Sequence, residues 1–191
     1  MILEIILLGG CSTVLVTLFL RKTFGFQAQK PTDYLSKGPK FDIRKNLSGP
    51  MLSEGIIYGP FGRVTSRFVA KMHAEWNGDV GEITEVFDYD SGNSQTRKWT
   101  LKVRKDGSIE ADADDLVGTG YGSQAGSAVV LNYTIKLTED AGGHALKVTD
   151  WMYLMENGIV MNRSQFRKFG IKVAELVATM RPEASDQMST E

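Results

Sequence analysis

The sequence predicts an all-β fold, an up-and-down antiparallel barrel of about eight to ten strands preceded by an N-terminal transmembrane helix. Three observations carry this. After Phe41, apolar and polar residues alternate with a period of two along most of the chain, the rhythm of strands with one buried face. Turn formers such as Asn77-Gly78, Asp106-Gly107 and Asn157-Gly158 separate the runs and suit short antiparallel hairpins. The stretch Met1–Leu20 carries one charge, Glu4.

That first stretch is long enough, at about 1.5 Å per residue, to span a bilayer core of roughly 30 Å. Residues 1–22 are therefore read as a membrane anchor. Leu8-Gly9-Gly10-Cys11 also resembles a lipobox, so the alternative is a cleaved lipoprotein attached through Cys11, the only cysteine. The apolar run continues past Cys11 to Leu20, which favours the uncleaved helix. Arg21, Lys22, Lys30, Lys37, Lys40 and Arg44 outnumber Asp33 and Asp42 on the following flank. By the positive-inside bias this favours a cytoplasmic domain for an uncleaved anchor. A lipoprotein faces the other way.

Residues 23–40, with Pro31, Gly38 and Pro39 among polar groups, read as a linker, and residues 183–191 as a frayed tail. Between them, in residues 41–182, the alternating runs are Ser53–Tyr58, Val64–Trp76, Glu82–Tyr89, Thr96–Arg104, Ser108–Ala113, Ala128–Leu137, Ala145–Met155, Gly158–Met161 and Gly170–Arg181. About nine strands in a meander leave two edges unless the sheet closes, so a barrel is expected. Gly118, Gly120, Gly122 and Gly126 are expected to supply its bends. Ser164–Phe169 is read as a short helical turn before the last strand.

Four charges fall on the apolar beat. Glu85 is in step with Ile83, Phe87 and Tyr89, and Asp150 with Val148, Met152 and Leu154. Arg97 is in step with Trp99, Leu101 and Val103, and Arg163 with Ile159 and Met161. An unpaired buried charge costs several kcal/mol, so the four are expected either to pair as a packing network or to form a polar floor for a ligand. Phe87, Tyr89, Trp99, Tyr133 and Met152 are the expected barrel wall.

Other chemistry finds little support. The net charge of −1, from 22 basic and 23 acidic residues, and the lack of a basic stripe argue against a nucleic-acid partner. His73 alternates out of step with the core, and His144 lies in a Gly-Gly-His turn. Two distant histidines do not make a metal site. Glu110, Asp112, Asp114 and Asp115 read as a solvated face, and the glycines at 118–122 lack the following helix of a phosphate loop. No cofactor and no catalytic residue is expected.

A resemblance rests on Trp76-Asn77-Gly78, Gly81, Glu85, Phe87, Arg97, Trp99, Asp150-Trp151-Met152-Tyr153-Leu154-Met155, Asn162-Arg163-Ser164 and Lys168-Phe169-Gly170. Over roughly Phe41–Pro182 the chain resembles the bacterial family catalogued as domain of unknown function 3833. The resemblance implies a lipocalin-like (calycin-type) barrel, often tethered as a periplasmic lipoprotein, without assigned activity. It marks Trp151, Tyr153, Asn162, Lys168 and Gly170 as motif residues.

The leading expectation is thus a non-catalytic, membrane-tethered barrel that binds or carries a lipid or other apolar small molecule at the cell envelope. Two others stand beside it: an enzyme that acts on a membrane lipid through its inward carboxylates, and a filled barrel that docks an envelope protein. An apolar cavity of about 300 Å³ or more separates the first two from the third.

Overall fold

The computed structural model describes Val16, Phe19, Leu20, residues 23–139 and residues 142–183. Ten strands make one closed antiparallel barrel: β1 (Gly49–Tyr58), β2 (Val64–Asn77), β3 (Val80–Tyr89), β4 (Ser94–Val103), β5 (Ser108–Ala113), β6 (Gly120–Ala125), β7 (Ala128–Lys136), β8 (Ala145–Leu154), β9 (Val160–Lys168) and β10 (Ile171–Pro182). Each strand pairs with the next, and β10 closes on β1 with Ser53 opposite Met180. No sheet edge is left open, which removes the unpaired backbone of an open meander.

Strand β2 shows how alternation specifies the fold. Phe68, Ala70, Met72 and Ala74 are buried inside, while Lys71, His73 and Glu75 face water. The main core continues through Ile83, Trp99, Leu101, Val103, Leu131 and Val148. Burying one such side chain is worth about 1.5–3 kcal/mol.

Two strand readings change. Strand β6 was not foreseen, because Gly120-Tyr121-Gly122-Ser123-Gln124-Ala125 lacks an apolar beat. Gly122 serves close approach: a Cβ there would lie 2.0 Å from the Val130 carbonyl oxygen on β7. The helical turn expected at Ser164–Phe169 is absent; β9 runs straight to Lys168 and turns at Phe169-Gly170. Pairing with both β8 and β10 holds those residues extended against their local ambiguity.

The turns after β2, β4, β6 and β8 lie at one end of the barrel, which a short helix seals. Helix α1 (Ile43–Asn46) is capped by Asp42, whose carboxylate accepts from the Arg44 amide at 3.2 Å. Phe41, Ile43 and Leu47 point into the barrel and are buried. The Trp76 indole donates to the Leu47 carbonyl at 2.7 Å, and the Phe41 amide to that of Gly126 at 2.8 Å.

The stretch read as a linker lies on the barrel wall. Two 3-10 turns, Phe26–Ala28 and Pro31–Tyr34, cover the outer face of β7 and β8. Tyr34 packs on Trp151 and Tyr153, each with ring centroids 5.4 Å apart, and Tyr153 donates to the Gln29 side chain at 2.7 Å. Such apolar contacts hold residues 26–34 as part of the domain. Most of the 1–22 anchor, with Cys11, and the tail beyond Glu183 lie outside the described residues. Among the described residues, no helix is long and apolar enough to cross a membrane.

Candidate functional site

Glu85, Arg97, Tyr133 and Asp150 project from β3, β4, β7 and β8 onto a cavity of about 120 Å³ inside the barrel. Trp99, Phe87 and Met152 line the same space, with Ile43 and Leu47 at its sealed end. Toward the other end, Phe68 packs edge-on against Phe87 at 5.1 Å, and Tyr89 stacks beside Phe87 at 6.0 Å. Gly55 makes room for this collar: a Cβ there would stand 2.3 Å from the Phe68 ring.

The four charges do not form one network. Glu85 and Arg97 are cross-strand partners, yet the guanidinium turns to Asp115, 2.9 Å away just beyond the end of β5. It lies 4.0 Å above the Trp99 ring and 5.6 Å from that of Tyr133, in cation–π contact with both. The Trp99 indole donates to Glu85 at 3.2 Å. Across the interior, Asp150 accepts from the Ser164 hydroxyl at 2.7 Å and from the Asn162 amide. Asn162 also donates to the Trp151 carbonyl at 3.0 Å.

Arg163 is not part of this interior. It is half-exposed on the outer wall, where its Nε donates to Glu175 at 2.5 Å and its guanidinium lies 5.0 Å from the Phe26 ring. Strand β9 instead turns Val160, Asn162 and Ser164 inward. The apolar beat of Ile159 and Met161 misled because the N-terminal stretch also covers part of the outer face. Trp151, only 2% exposed, shows the same thing from β8: it is buried on the outside beneath Tyr34 and Tyr153. Asp115, which clusters in sequence with Glu110, Asp112 and Asp114, departs from their strand face because it follows the end of β5, where strand alternation no longer applies, and Ser164 carries no sequence signal of its own.

The other motif residues divide by position. Tyr153 joins the outer cluster, and Lys168 and Gly170 flank the Phe169 turn, with the Lys168 ammonium 5.7 Å from the Phe169 ring. His73 is exposed beside Glu75 at 3.2 Å. Among the described residues, no group of three or more potential ligands gathers as a metal site.

Burial sets the electrostatics. Inside the barrel it pushes the Glu85 carboxyl up to about 7, against the pull of Arg97 and the Trp99 bond, with Asp150 and Asp115 adding repulsion. Burial also raises Asp150, opposed by its bonds from Ser164 and Asn162 and by Arg97. Three carboxyl groups thus share one guanidinium, and Glu85 exchanges its proton near neutrality. Such a group can donate a hydrogen bond or take up charge when its surroundings change.

A family model described as "Protein of unknown function (DUF3833)" matches residues 20–182. The chain belongs to the DUF3833 family. A comparison with curated proteins finds no match. Among solved structures, the DUF3833 chain is similar to one titled "Crystal Structure of Rv2717c from M. tuberculosis", with a TM-score of 0.52 and 14% identity over 73% of this chain and 94% of that one. At that identity the likeness concerns the fold alone.

Proposed function

We propose that this DUF3833 protein is a non-catalytic, membrane-tethered barrel, lipocalin-like in holding its guest inside, that binds a small apolar molecule. The guest's polar end rests against the floor formed by Glu85 and Asp150. One observation carries the reading: the barrel keeps about 120 Å³ unfilled between an aromatic and aliphatic wall and these two carboxyl groups. Ligand sites commonly pair such walls with a few converging polar groups. The tether rests on the apolar stretch Met1–Leu20 and the bases that follow it.

Volume limits the guest. A dry cavity of about 150 Å³ holds a molecule the size of benzene, and drug-sized pockets begin at about 300 Å³. The space here suits a compact molecule and leaves a whole lipid outside. A non-catalytic role is supported by the way Arg97, Glu85 and Asp150 are engaged by Asp115, Trp99, Ser164 and Asn162. The volume is below the roughly 300 Å³ expected of a lipid carrier or a lipid-directed enzyme, and this favours, as a second reading, a nearly filled barrel that docks an envelope protein.

Native mass spectrometry of the protein extracted from its own membranes tests the proposal. A reproducible low-mass adduct on the folded barrel is expected. An adduct-free barrel that co-purifies with a stoichiometric protein supports the second reading instead.

A further inference from the structure

The turns after β1, β3, β5, β7 and β9 lie at the end of the barrel opposite α1, and two of them carry phenylalanines that no packing explains. Phe61, between β1 and β2, and Phe169, between β9 and β10, are each 93% exposed. Because β1 pairs with β10, these hairpins are neighbours on the rim. Ile171 beside them is 69% exposed. Phe169 also holds a left-handed φ of 51°, an uncommon conformation for a bulky residue. An aromatic kept there without packing points to a use outside the fold.

The composition of the tips suits a lipid surface. Gly59-Pro60-Phe61-Gly62-Arg63 and Arg167-Lys168-Phe169-Gly170-Ile171-Lys172 set apolar tips beside bases. This lets the rings enter the acyl boundary while the cations remain at the headgroups. At the sealed end, the turns Asn77-Gly78-Asp79, Arg104-Lys105-Asp106-Gly107 and Glu156-Asn157-Gly158 are polar.

The path of the chain points the same way. Gln27 lines a surface cleft with Val117, Thr119 and Gly170 at the rim. From there the chain runs along the wall to Tyr34, whose carbonyl lies against Gly126 at the sealed end. The residues just before, Val16, Phe19, Leu20 and Phe24, are apolar and exposed. The stretch from Thr23 to Gln27 therefore meets the barrel on the side that carries the bare phenylalanines.

We infer that the Phe61 and Phe169 hairpins form a membrane-contacting rim, so that the barrel stands on the bilayer with its unsealed end toward the lipid and α1 away from it. The inference rests on the tether proposed above and adds an orientation: the collar of Phe68, Phe87 and Tyr89 then opens toward the membrane, where an apolar guest dissolves.

Full-length protein in vesicles of phosphatidylethanolamine and phosphatidylglycerol with brominated acyl chains tests it through Phe61→Trp, Phe169→Trp and, at the sealed end, Val80→Trp. Relative to the parent protein, the first two are expected to add blue-shifted emission that the bromines quench, and Val80→Trp to add unquenched emission. Protein that floats with the vesicles while the Phe61→Trp and Phe169→Trp signals stay unquenched overturns the rim and leaves the tether standing. Quenching of Val80→Trp alone inverts the orientation and overturns it too. Protein that does not float removes the tether and the rim together. Melting temperatures matched to the parent establish that each variant is folded.

Discussion

Glu85 and Arg97 stand opposite one another across β3 and β4, but the guanidinium reaches past its cross-strand partner to Asp115 and leaves Glu85 to the Trp99 indole. The interior thus holds an acid that is close to its base without a direct bond to it.

Stability should fall as pH rises from the acid range to neutrality. Unfolded, Glu85 loses its proton near the ordinary glutamate value of about 4.3; folded, it keeps the proton to about 7. Between those values the native state binds more protons than the unfolded chain, so its relative stability declines with pH, by up to about 4 kcal/mol for this group. The raised Asp150 acts in the same direction. Chemical denaturation from pH 5 to pH 8 should show the decline, and Glu85→Gln should flatten much of it. An equal slope in that variant would remove Glu85 as its source.

Arg97→Met should be among the most damaging interior changes. It leaves Asp115 without its partner and takes the nearby cation from Glu85, at a cost of about 3–5 kcal/mol. Arg97→Met combined with Asp115→Leu should recover a good part of that loss. Urea melts of the two variants measure the difference.

Asp150→Ala should cost less, about 1–3 kcal/mol, because it deprives only the neutral donors Ser164 and Asn162 of an acceptor. Asp150→Asn should fold nearly as the parent does and bind the guest less well. Thermal melts read beside adduct retention separate the two effects.

On the outer wall, Tyr34→Ala should loosen the N-terminal stretch from Trp151 and Tyr153 while the barrel stays closed. Hydrogen exchange should rise across residues 26–34 and leave β1 to β5 unchanged.

Strict alternation made most strands readable, as the burial of Phe68, Ala70, Met72 and Ala74 illustrates. It failed where the buried face carries no large apolar side chain, as in β6, whose Gly122 is there for close approach to Val130. It also failed where both faces are buried. In β8, Asp150 and Met152 face in while Trp151 and Tyr153 are covered from outside; in β9 the same covering made Arg163 look internal. A period of two states that faces differ, and it identifies the inner one only when the other meets water. Asp115 stayed hidden for a different reason, since the contact with Arg97 is made by a turn residue 18 positions away.

Whether a guest occupies the interior space is read from the native mass of Ala178→Phe beside that of the parent. Ala178 lines the cavity and is 4% exposed, so a phenyl ring there takes up much of the 120 Å³. A low-mass adduct is expected on the parent and none on a variant that remains folded. An adduct retained by the filled variant would place the guest elsewhere than in the barrel.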